Sequence, residues 1–389
     1  MIYVGIDVAS TKHDCCLLHD ETGMVYSKPF TIKNNLDGFK KLHKAITDFV
    51  EKTSDNKVRI GLESTGPYHS NILNYLKDLN YEITLLNPLL TNMDKKATSV
   101  RKTKTDTIDC IAICNYLMRN RNDFRPYTGI SYHIEGLKSI SRLRFRTVKE
   151  LSSQKQILNR LLTICFPEII SLFSKIDTDS LLDLLENYPT PDLLLNTSND
   201  NITNLLHWKC KTSAEELKQI ASCSIGHYSQ YDAFQIQMTI SQIKFLKDSV
   251  QKYDKEIKKM IKNFNSNLLS MPGIGFTTAA IIISEIGDIN RFSNADKLLA
   301  YCGLDIVVYQ SGNFEKSNRQ SKRGSSILRW AIHQIAFIIY QHDKTFNDYY
   351  LKKISEGKCH NVVISHIEKK IVRVLYTLMK NNSSYIPQK

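Results

Sequence analysis

Two features are missing from this 389-residue chain: patterned cysteines and a long apolar run. Nine cysteines are present, but none form a Cys-x-x-Cys pair and no Cys/His cluster has zinc-ligand spacing, which argues against a zinc site or a disulfide framework. No run of about 18 apolar residues occurs, and Asp7 interrupts the first apolar segment. We therefore expect no membrane span and no signal peptide, and a location in a reducing cytoplasm, near the nucleoid.

Acidic residues are too few to balance the basic ones. Lysine and arginine number 52 against 39 aspartates and glutamates, which gives a formal net charge of +13. Residues 311–389 hold 14 of the basic residues and 5 of the acidic ones, a net charge of +9. An excess of this sign favours a polyanionic partner, most often nucleic acid. The length is sufficient for two or three domains of about 100–200 residues each.

The first 120 residues alternate between short apolar runs and amphipathic segments. Three sequential strands are followed by alternating helix and strand, which is the order of the ribonuclease-H-like fold. The predicted strands are 1–9, 13–20, 24–30, 58–65 and 82–88, and the predicted helices are 36–52, 68–79 and a third that begins near 106.

Beyond residue 130 the pattern becomes helical. Segments 134–165 and 230–265 have apolar positions close to a heptad repeat, which predicts two long helices paired antiparallel as a coiled-coil arm. A polar segment at 175–228 lies between them, with no assignable role. The chain then continues as a helix, a Pro-Gly-x-Gly hairpin and a helix over 268–288, a loop at 303–313, and helices near 325–341 and 360–380. We predict three domains: 1–130 α/β, 131–266 coiled coil with its insert, and 267–389 helical.

Four acidic residues stand out by their placement. Asp7 ends the first predicted strand, Glu63 ends the fourth, and Asp106 and Asp109 stand three residues apart at the start of a helix. Each alone has an ordinary explanation, because an Asp pair at a helix start is more often a cap that favours the helix dipole. Together they supply the hard oxygen ligands that a pair of Mg²⁺ ions needs to clamp a phosphodiester.

The same residues carry a resemblance to a known family. The segments "GIDVAS", "GLESTGPY" and "KTDTIDCIAI" resemble the DEDD motif of transposases of the IS110 insertion-sequence family, whose N-terminal domain is similar to the Holliday-junction resolvase RuvC. The segments "MPGIGFTTAAIIISEIGDINRFSNADKLLAYCGL", "QSG" and "KRGSSILRWAIHQIA" resemble the C-terminal transposase domain of that family. Both blocks occur in the order of the family and together cover about two thirds of the chain.

This resemblance implies specific roles. Ser311, which by local sequence is an ordinary turn residue, matches the serine taken as the nucleophile toward DNA. The four acids would bind Mg²⁺, with Mn²⁺ as a substitute. The implied partners are donor and target double-stranded DNA, a structured noncoding guide RNA and further copies of the chain, as a dimer and as a tetramer in synapsis, with the composite site formed between protomers.

Several residues are candidates for nucleic-acid contacts. Basic side chains near the acids and around Ser311 could hold phosphates. The backbone N–H groups of the Pro-Gly-x-Gly hairpin could do the same, although an ordinary helix–helix turn explains the hairpin equally well. The full set is Arg101, Lys102, Lys104, Gly273, Gly275, Lys316, Arg319, Lys322, Arg323 and Arg329.

Two other functions fit part of this pattern. A junction-resolving endonuclease would need the four carboxylates and no serine nucleophile. A nucleic-acid-binding or scaffolding protein would need neither. The C-terminal block argues against the first alternative, and the intact set of acids argues against the second.

Overall fold

The structure is a computed structural model. It describes residues 1–20, 28–63, 68–86, 106–124, 126–127, 132–207, 211–264, 267–311 and 314–387, without the side chains of 106, 107, 123, 132, 133 and 307–319. The chain divides into two compact units, residues 1–129 and 130–389. The second unit contains both the predicted arm and the predicted C-terminal domain, and their separation into two domains stays a prediction.

The first unit is a five-stranded mixed sheet with helices. Its elements are β1 (Ile2–Val8), β2 (Lys12–His19), β3 (Phe30–Lys33), α1 (Leu36–Thr53), β4 (Val58–Glu63), α2 (Ser70–Asp78), β5 (Glu82–Leu86) and α3 (Asp106–Arg119). The strand order is β3-β2-β1-β4-β5. Strand β2 pairs antiparallel with β1 and β3, whereas β1, β4 and β5 run parallel. The predicted order of elements is confirmed and is consistent with the ribonuclease-H-like class.

The third strand differs from its predicted position. It was expected at 24–30, but it begins at Phe30 and ends at Lys33, with residues 21–27 outside the described part of the chain. Pro29 directly precedes it, and proline has no N–H to donate to a strand ladder. Ile32 is the buried residue of this strand and joins the apolar core formed by β1, β4, α1 and α2.

Two long helices form the arm of the second unit. These are α4 (Tyr132–Cys165) and α10 (Gln230–Asn263), close to the predicted bounds. They run antiparallel, because Leu137 near the start of α4 clusters with Ile261 near the end of α10, whereas Leu158 near the end of α4 clusters with Ile240. Between these points Arg144 binds Asp254, with 2.5 Å between Nε and Oδ1. Whether they supercoil as a coiled coil stays a prediction. The start of α10 is fixed by a reciprocal capping box between Ser229 and Asp232.

The segment between these helices is a packed structure. It forms α5 (Ile169–Leu172), α6 (Asp179–Asn187), α7 (Pro191–Leu195), α8 (Asn199–Leu205) and α9 (Ala214–Ser222). Its leucines share one core with the long helices, since Leu181 and Leu185 cluster with Leu158 of α4 and Ile240 of α10. The polar composition of 175–228 therefore hides an apolar face that packs on the arm.

The remaining residues form helices and one β-hairpin. The elements are α11 (Phe276–Ile286), α12 (Ala295–Tyr301), β6 (Ile306–Ser311), β7 (Phe314–Gln320), α13 (Ser326–His342), α14 (Lys344–Ser355) and α15 (His360–Asn381). The predicted loop at 303–313 was wrong: the β-favouring run that starts at Ile306 pairs antiparallel with β7. Helix α14, capped by Asp343, was not predicted. Among the described residues, none of the helices combines the length and the apolar character needed to cross a bilayer.

Candidate active site

Asp7 and Glu63 stand side by side at the carboxyl ends of two parallel strands. Ile6 of β1 is in register with Leu62 of β4, and the next residue of each strand is the acid. Glycine lies two residues before each acid, at Gly5 and Gly61, and these two glycines are paired across the strands. Because side chains alternate along a strand, each acid projects from the same face as its glycine.

Helix α3 covers this glycine face. A Cβ atom at Gly5 would lie 2.2 Å from the carbonyl oxygen of Cys110, and one at Gly61 would lie 2.9 Å from Cδ1 of Leu117. The paired glycines therefore allow the backbone of α3 to approach β1 and the side chains of α3 to pack directly on β4. This close approach fixes the height of the helix above the two acids.

The direction of α3 brings Asp109 to the same end of the sheet. Further along the helix, the thiol of Cys114 lies 3.5 Å from the carbonyl oxygen of Tyr3, near the start of β1. The first turn of α3 therefore points toward the strand ends that carry Asp7 and Glu63. Asp109 and Glu63 are each only 8% exposed. The fold thus brings three of the four predicted acids to one edge of the sheet.

The fourth predicted acid, Asp106, is the first residue of α3. Its side chain lies outside the description, and so do residues 101–105 with Arg101, Lys102 and Lys104. The backbone of Asp106 continues the same helix one turn before Asp109. Its predicted role as a ligand, and the predicted phosphate contacts of the three basic residues, stay predictions.

A fifth carboxylate lies beside this group and was missed from the sequence. Asp14 of β2 is directly opposite Asp7 in the antiparallel register and is 9% exposed. Thr31 donates a hydrogen bond of 2.5 Å to its Oδ1, and Lys12 lies 3.5 Å from its Oδ2. The sequence places Asp14 within the predicted strand 13–20, and the pairing of that strand with β1 brings it opposite Asp7. These two partners hold the Asp14 carboxylate in place beside Asp7.

Another group of potential metal ligands lies at the opposite end of the sheet. In the part of the chain that the structure describes, His19, Asp20 and Asp55 hold ligand atoms within 4.8 Å of one another. The amino group of Met1 contacts both aspartates, at 2.7 Å from Asp20. The hydrogen bond from this amino group is the main reason that the pKa of Asp55 is lowered to about 2. These residues neighbour the start of β1, whereas Asp7 is near its end.

Ser311 is the last residue of β6 and pairs with Phe314, the first residue of β7. Its backbone is therefore at the turn of the hairpin, while its side chain, like those of Lys316 and Arg319, lies outside the description. The base of the hairpin is anchored, because Ser321 binds Asp305 through both its backbone N–H and its hydroxyl group. The structure thus places the backbone of Ser311 at the tip of a hairpin whose base is anchored.

The other predicted basic residues lie just after this hairpin. Lys322 and Arg323 are exposed, and Lys322 has a positive φ of 53°. Arg329 is half-buried and donates a hydrogen bond of 3.1 Å to the carbonyl oxygen of Cys302. This contact gives Arg329 a structural role at the end of α12. Gly324 allows the backbone after the hairpin to lie close to the end of α12, because a Cβ atom at this position would lie 1.9 Å from the carbonyl oxygen of Tyr301.

The Pro-Gly-x-Gly hairpin packs against α13. Gly273 has a φ of +87°, and a Cβ atom on it would lie 3.2 Å from Cβ of Ile338. Its conformation and packing explain this glycine without a ligand. Gly275 is the N-cap of α11, is exposed and has no atom within 4 Å of a Cβ position. Contact of either glycine with phosphate stays a prediction.

An ion pair between a buried carboxylate and a partly exposed arginine links the base of the arm to the hairpin region, and sequence reasoning missed it. Glu285 of α11 is 2% exposed and receives two hydrogen bonds from Arg142 of α4, at 2.6 and 3.0 Å. Ser325, the N-cap of α13, donates a third bond of 3.1 Å. Burial acts to raise the pKa of Glu285, but the hydrogen bonds and charge of Arg142 and the charge of Lys138 outweigh it, so the pKa is lowered.

Comparison with known proteins connects both halves of the chain to transposases. Residues 4–167 match the DEDD_Tnp_IS110 family model, described as "Transposase", and residues 265–351 match the model "Transposase IS116/IS110/IS902 family". The first match contains Asp7, Glu63, Asp106 and Asp109, and the second contains Ser311.

Similarity to other proteins extends over nearly the whole chain. The pilin gene-inverting protein of Moraxella lacunata is 22% identical over 98% of this chain and 97% of its own length. The mini-circle putative transposase for IS117 of Streptomyces coelicolor is 22% identical over 100% of this chain and 96% of its own length. Among solved structures, the RuvC of T. thermophilus in complex with a Holliday junction substrate matches 32% of this chain and 98% of its own, with 9% identity and a TM-score of 0.24. The chain belongs to the IS110 family of transposases.

Proposed function

We propose that this transposase cuts and joins DNA at a magnesium site held by Asp7, Glu63, Asp106 and Asp109. The observation that carries the proposal is the convergence of Asp7, Glu63 and Asp109 at one edge of the sheet. The packing of α3 on the paired glycines fixes this arrangement. Burial of several carboxylates at one edge costs free energy unless cations or hydrogen bonds compensate. A hard divalent cation with oxygen ligands fits this donor set, and Mn²⁺ would substitute.

When bound, Mg²⁺ would stabilise negative charge on the phosphate oxygens and lower the pKa of an attacking oxygen. The contribution of the protein is the rigid placement of its carboxylates. Asp14, held by Thr31 and Lys12, braces the strand next to Asp7.

Replacement of one ligand tests this site. Asp109→Asn should abolish DNA cutting in Mg²⁺ while circular dichroism and DNA binding remain unchanged, because the amide preserves shape and removes charge. Asp78→Asn, at an exposed position near the end of α2, is the matched control and should keep full activity. Normal cutting by Asp109→Asn would instead favour a protein whose acids have no catalytic role.

For strand exchange we propose Ser311 as the nucleophile that cuts the strand. Its Oγ would attack a DNA phosphorus and form a Ser–O–P bond, while the bond from phosphorus to a deoxyribose oxygen breaks and that oxygen leaves as a protonated hydroxyl group. The hydroxyl group of a second DNA end would then attack the Ser–O–P phosphorus, release the serine as its hydroxyl form and join the strands. Two facts support this: the backbone of Ser311 lies at the tip of an anchored hairpin, and exposed Lys322 and Arg323 follow the hairpin. Lys316 and Arg319 of the same hairpin complete the proposed phosphate contacts.

A covalent adduct tests the serine. Wild-type protein incubated with end-labelled DNA should yield a protein–DNA band that survives denaturation. Ser311→Ala should lose this band, whereas the neighbouring Ser317→Ala should retain it. DNA cutting by wild type without any adduct would contradict the serine mechanism and favour a junction-resolving endonuclease.

We further propose that the composite site forms between protomers of a homo-oligomer, a dimer that becomes a tetramer in synapsis. More than 200 residues separate Ser311 from Asp109 in sequence, and they belong to different compact units. A mixture of Asp7→Ala and Ser311→Ala chains tests the proposal. Recombination by the mixture, when each variant alone is inactive, is the expected result, and an inactive mixture would place the site within one chain.

The proposed partners are donor and target DNA and a structured noncoding guide RNA. The net charge of +13 supports binding to a polyanion, and the family supports DNA as substrate. The RNA follows from the resemblance alone. Sequencing of RNA that copurifies with the protein tests it: one enriched, structured species encoded beside the gene is expected, and random cellular RNA would contradict the guide.

A further inference from the structure

A cavity of about 830 Å³ lies where the insert between the two long helices packs on α10. Its wall is formed by the turn between α5 and α6, by the first residues of α6, by His207 and Lys211, and by Lys247 of α10. Ligand sites in proteins are concave spaces of about 300–1,000 Å³. The cavity is therefore large enough for a ligand of the size of a nucleotide.

The two acidic residues of the wall each have a lysine partner. Lys155 of α4 forms an ion pair with Asp177. Burial acts to raise the pKa of Asp177, but the hydrogen bond and the charge of Lys155 outweigh it, so the pKa is lowered. Lys247 lies 2.5 Å from Oδ1 of Asp179 and also donates a hydrogen bond of 3.0 Å to the carbonyl oxygen of Asp177. Neither carboxylate therefore adds an unbalanced negative charge to the cavity.

The unbalanced charge of the wall is positive. Lys175 and Lys211 are exposed, and neither forms an ion pair with any residue that the structure describes. An ammonium group binds phosphate oxygens as a compact point charge. Two unpaired lysines favour an anionic ligand, whereas a cationic ligand finds only carboxylates that lysines already occupy.

Beside the lysines, the wall provides an aromatic ring and a hydrogen-bond acceptor. Phe173 is half-buried and packs with one side on the core of the arm. Aromatic side chains of this kind stack on unpaired bases. Lys247 occupies Oδ1 of Asp179, which leaves Oδ2 as an acceptor on a side chain that is 71% exposed. A ribose 2′-hydroxyl group donates to such an oxygen, and DNA lacks that hydroxyl group.

Thr178, the N-cap of α6, adds an unsatisfied hydroxyl group to the same wall. Its Oγ1 is buried, does not cap the helix and has no hydrogen-bond partner among the described residues. Buried polar atoms without a partner are rare in native proteins. A ligand that carries hydroxyl and phosphate oxygens would supply the missing partner.

We propose that this cavity binds one unstacked nucleotide of a single-stranded RNA, with its phosphate on Lys175 and Lys211, its base on Phe173 and its 2′-hydroxyl group on Asp179. A phosphate, a flat ring and a ribose hydroxyl group occur together in a ribonucleotide. The strand is single because bases in a duplex are already stacked and paired. The inference rests on the proposed function in one respect, because the proposed guide RNA is the polymer that would supply this nucleotide.

Photocrosslinking locates the bound nucleotide without any catalytic activity. Full-length protein is irradiated with a short single-stranded RNA that carries 4-thiouridine, and the crosslinked peptides are identified by mass spectrometry. The expected crosslink lies in the peptide that contains Phe173. A large excess of free uridine monophosphate should leave this crosslink in place, since it lacks the neighbouring phosphates of a strand. Crosslinks only in other parts of the chain would overturn the proposal, and competition by the free nucleotide as strong as that by unlabelled RNA would assign the cavity to mononucleotides instead.

Binding measurements with the same RNA test the two lysines. Lys175→Ala/Lys211→Ala should weaken binding about 10-fold and reduce the slope of log Kd against log salt by about 1.4, because two phosphate contacts to a single strand are lost. Lys255→Ala/Lys259→Ala removes the same charge from exposed positions of α10 and is the matched control, which should change both quantities little. Equal weakening by the two double variants would contradict a site at the cavity. Lys175→Gln/Lys211→Gln repeats the measurement if circular dichroism shows that the alanine variant is misfolded.

The choice of RNA over DNA tests Asp179. Wild type should bind the RNA about 10-fold more tightly than DNA of the same sequence, as expected for a hydrogen bond to a charged group. Asp179→Ala should lose this preference and keep its affinity for DNA. A wild type without the preference, or a variant that retains it, would refute the ribose contact.

Failure of this inference and failure of the proposed function are distinguishable. A protein that recombines DNA but gives no crosslink at Phe173 would refute the RNA site alone. A protein that gives the crosslink and the expected effects of substitution, but neither cuts nor joins DNA, would refute the proposed function alone.

Discussion

Replacement of Gly5 by alanine tests whether the close packing of α3 on Gly5 positions the candidate active site. A Cβ atom at this position would lie 2.2 Å from the carbonyl oxygen of Cys110 and 2.9 Å from the backbone nitrogen of Cys114. Both obstacles are backbone atoms, so no side chain can rotate away. Helix α3 would have to retreat by about 1 Å, which overpacking studies associate with a cost of about 1–3 kcal/mol.

The functional effect should be larger than the effect on stability. The retreat of α3 carries Asp109 away from Asp7 and Glu63, and a displacement of about 1 Å can reduce catalysis by roughly 100-fold. We therefore expect Gly5→Ala to fold, to cut DNA roughly 100-fold more slowly, and to show amide exchange in β1 and α3 that is about 5- to 150-fold faster.

Hydrogen exchange read by mass spectrometry localises the change, and a DNA-cutting assay measures activity. Gly136→Ala is the matched control: its Cβ atom would lie 3.7 Å from the methyl carbon of Met260, within a helix where alanine is favoured by up to about 1 kcal/mol. Wild-type exchange and cutting by Gly5→Ala would refute the reasoning that the glycine pair sets the position of Asp109.

Two further predictions concern the second unit. Glu285→Gln should destabilise it by about 1–3 kcal/mol, since the buried carboxylate loses its charge-assisted hydrogen bonds with Arg142, whose side chain is 43% exposed and stays in contact with water. The pKa of Glu285 is lowered in the folded state, so its contribution is complete above the ordinary value of 4.5 and is lost as the pH falls through the folded value. Urea denaturation should therefore show a difference between the two proteins that narrows below pH 4.5, and a constant difference would contradict it. In the insert, Leu184→Ala should cost about 2–5 kcal/mol in thermal denaturation, whereas the exposed Leu193→Ala should change little; equal effects would mean that the insert has no core.

Strand ends were the most predictable part of the candidate site. Asp7 and Glu63 each follow a short apolar run, and parallel strands end at the same edge, so their proximity follows from the pattern. The pair Asp106 and Asp109 was placed correctly at a helix start. The ambiguity between a cap and a ligand could be resolved only by knowing which strands the helix covers.

Contacts between residues distant in sequence could not be predicted. Gly5 and Gly61 are separated by 55 residues, and the sequence around either glycine does not indicate that the two pair and that α3 packs on them. The hairpin that carries Ser311 was expected to be a loop because glycines surround its strands. The ion pair of Arg142 and Glu285 joins residues 143 positions apart, which no periodicity signals.

If Asp7, Glu63 and Asp109 form one site for a divalent cation, that site should bind a cation in the absence of DNA. Titration of Mn²⁺ followed by electron paramagnetic resonance, on wild type and on Asp109→Asn without DNA, tests it most directly. Wild type should bind Mn²⁺ and Asp109→Asn should lose this binding, while Asp55→Asn, at the other end of the sheet, should retain it. Equal Mn²⁺ binding by wild type and Asp109→Asn, or a loss confined to Asp55→Asn, would show that the three acids do not form a cation site.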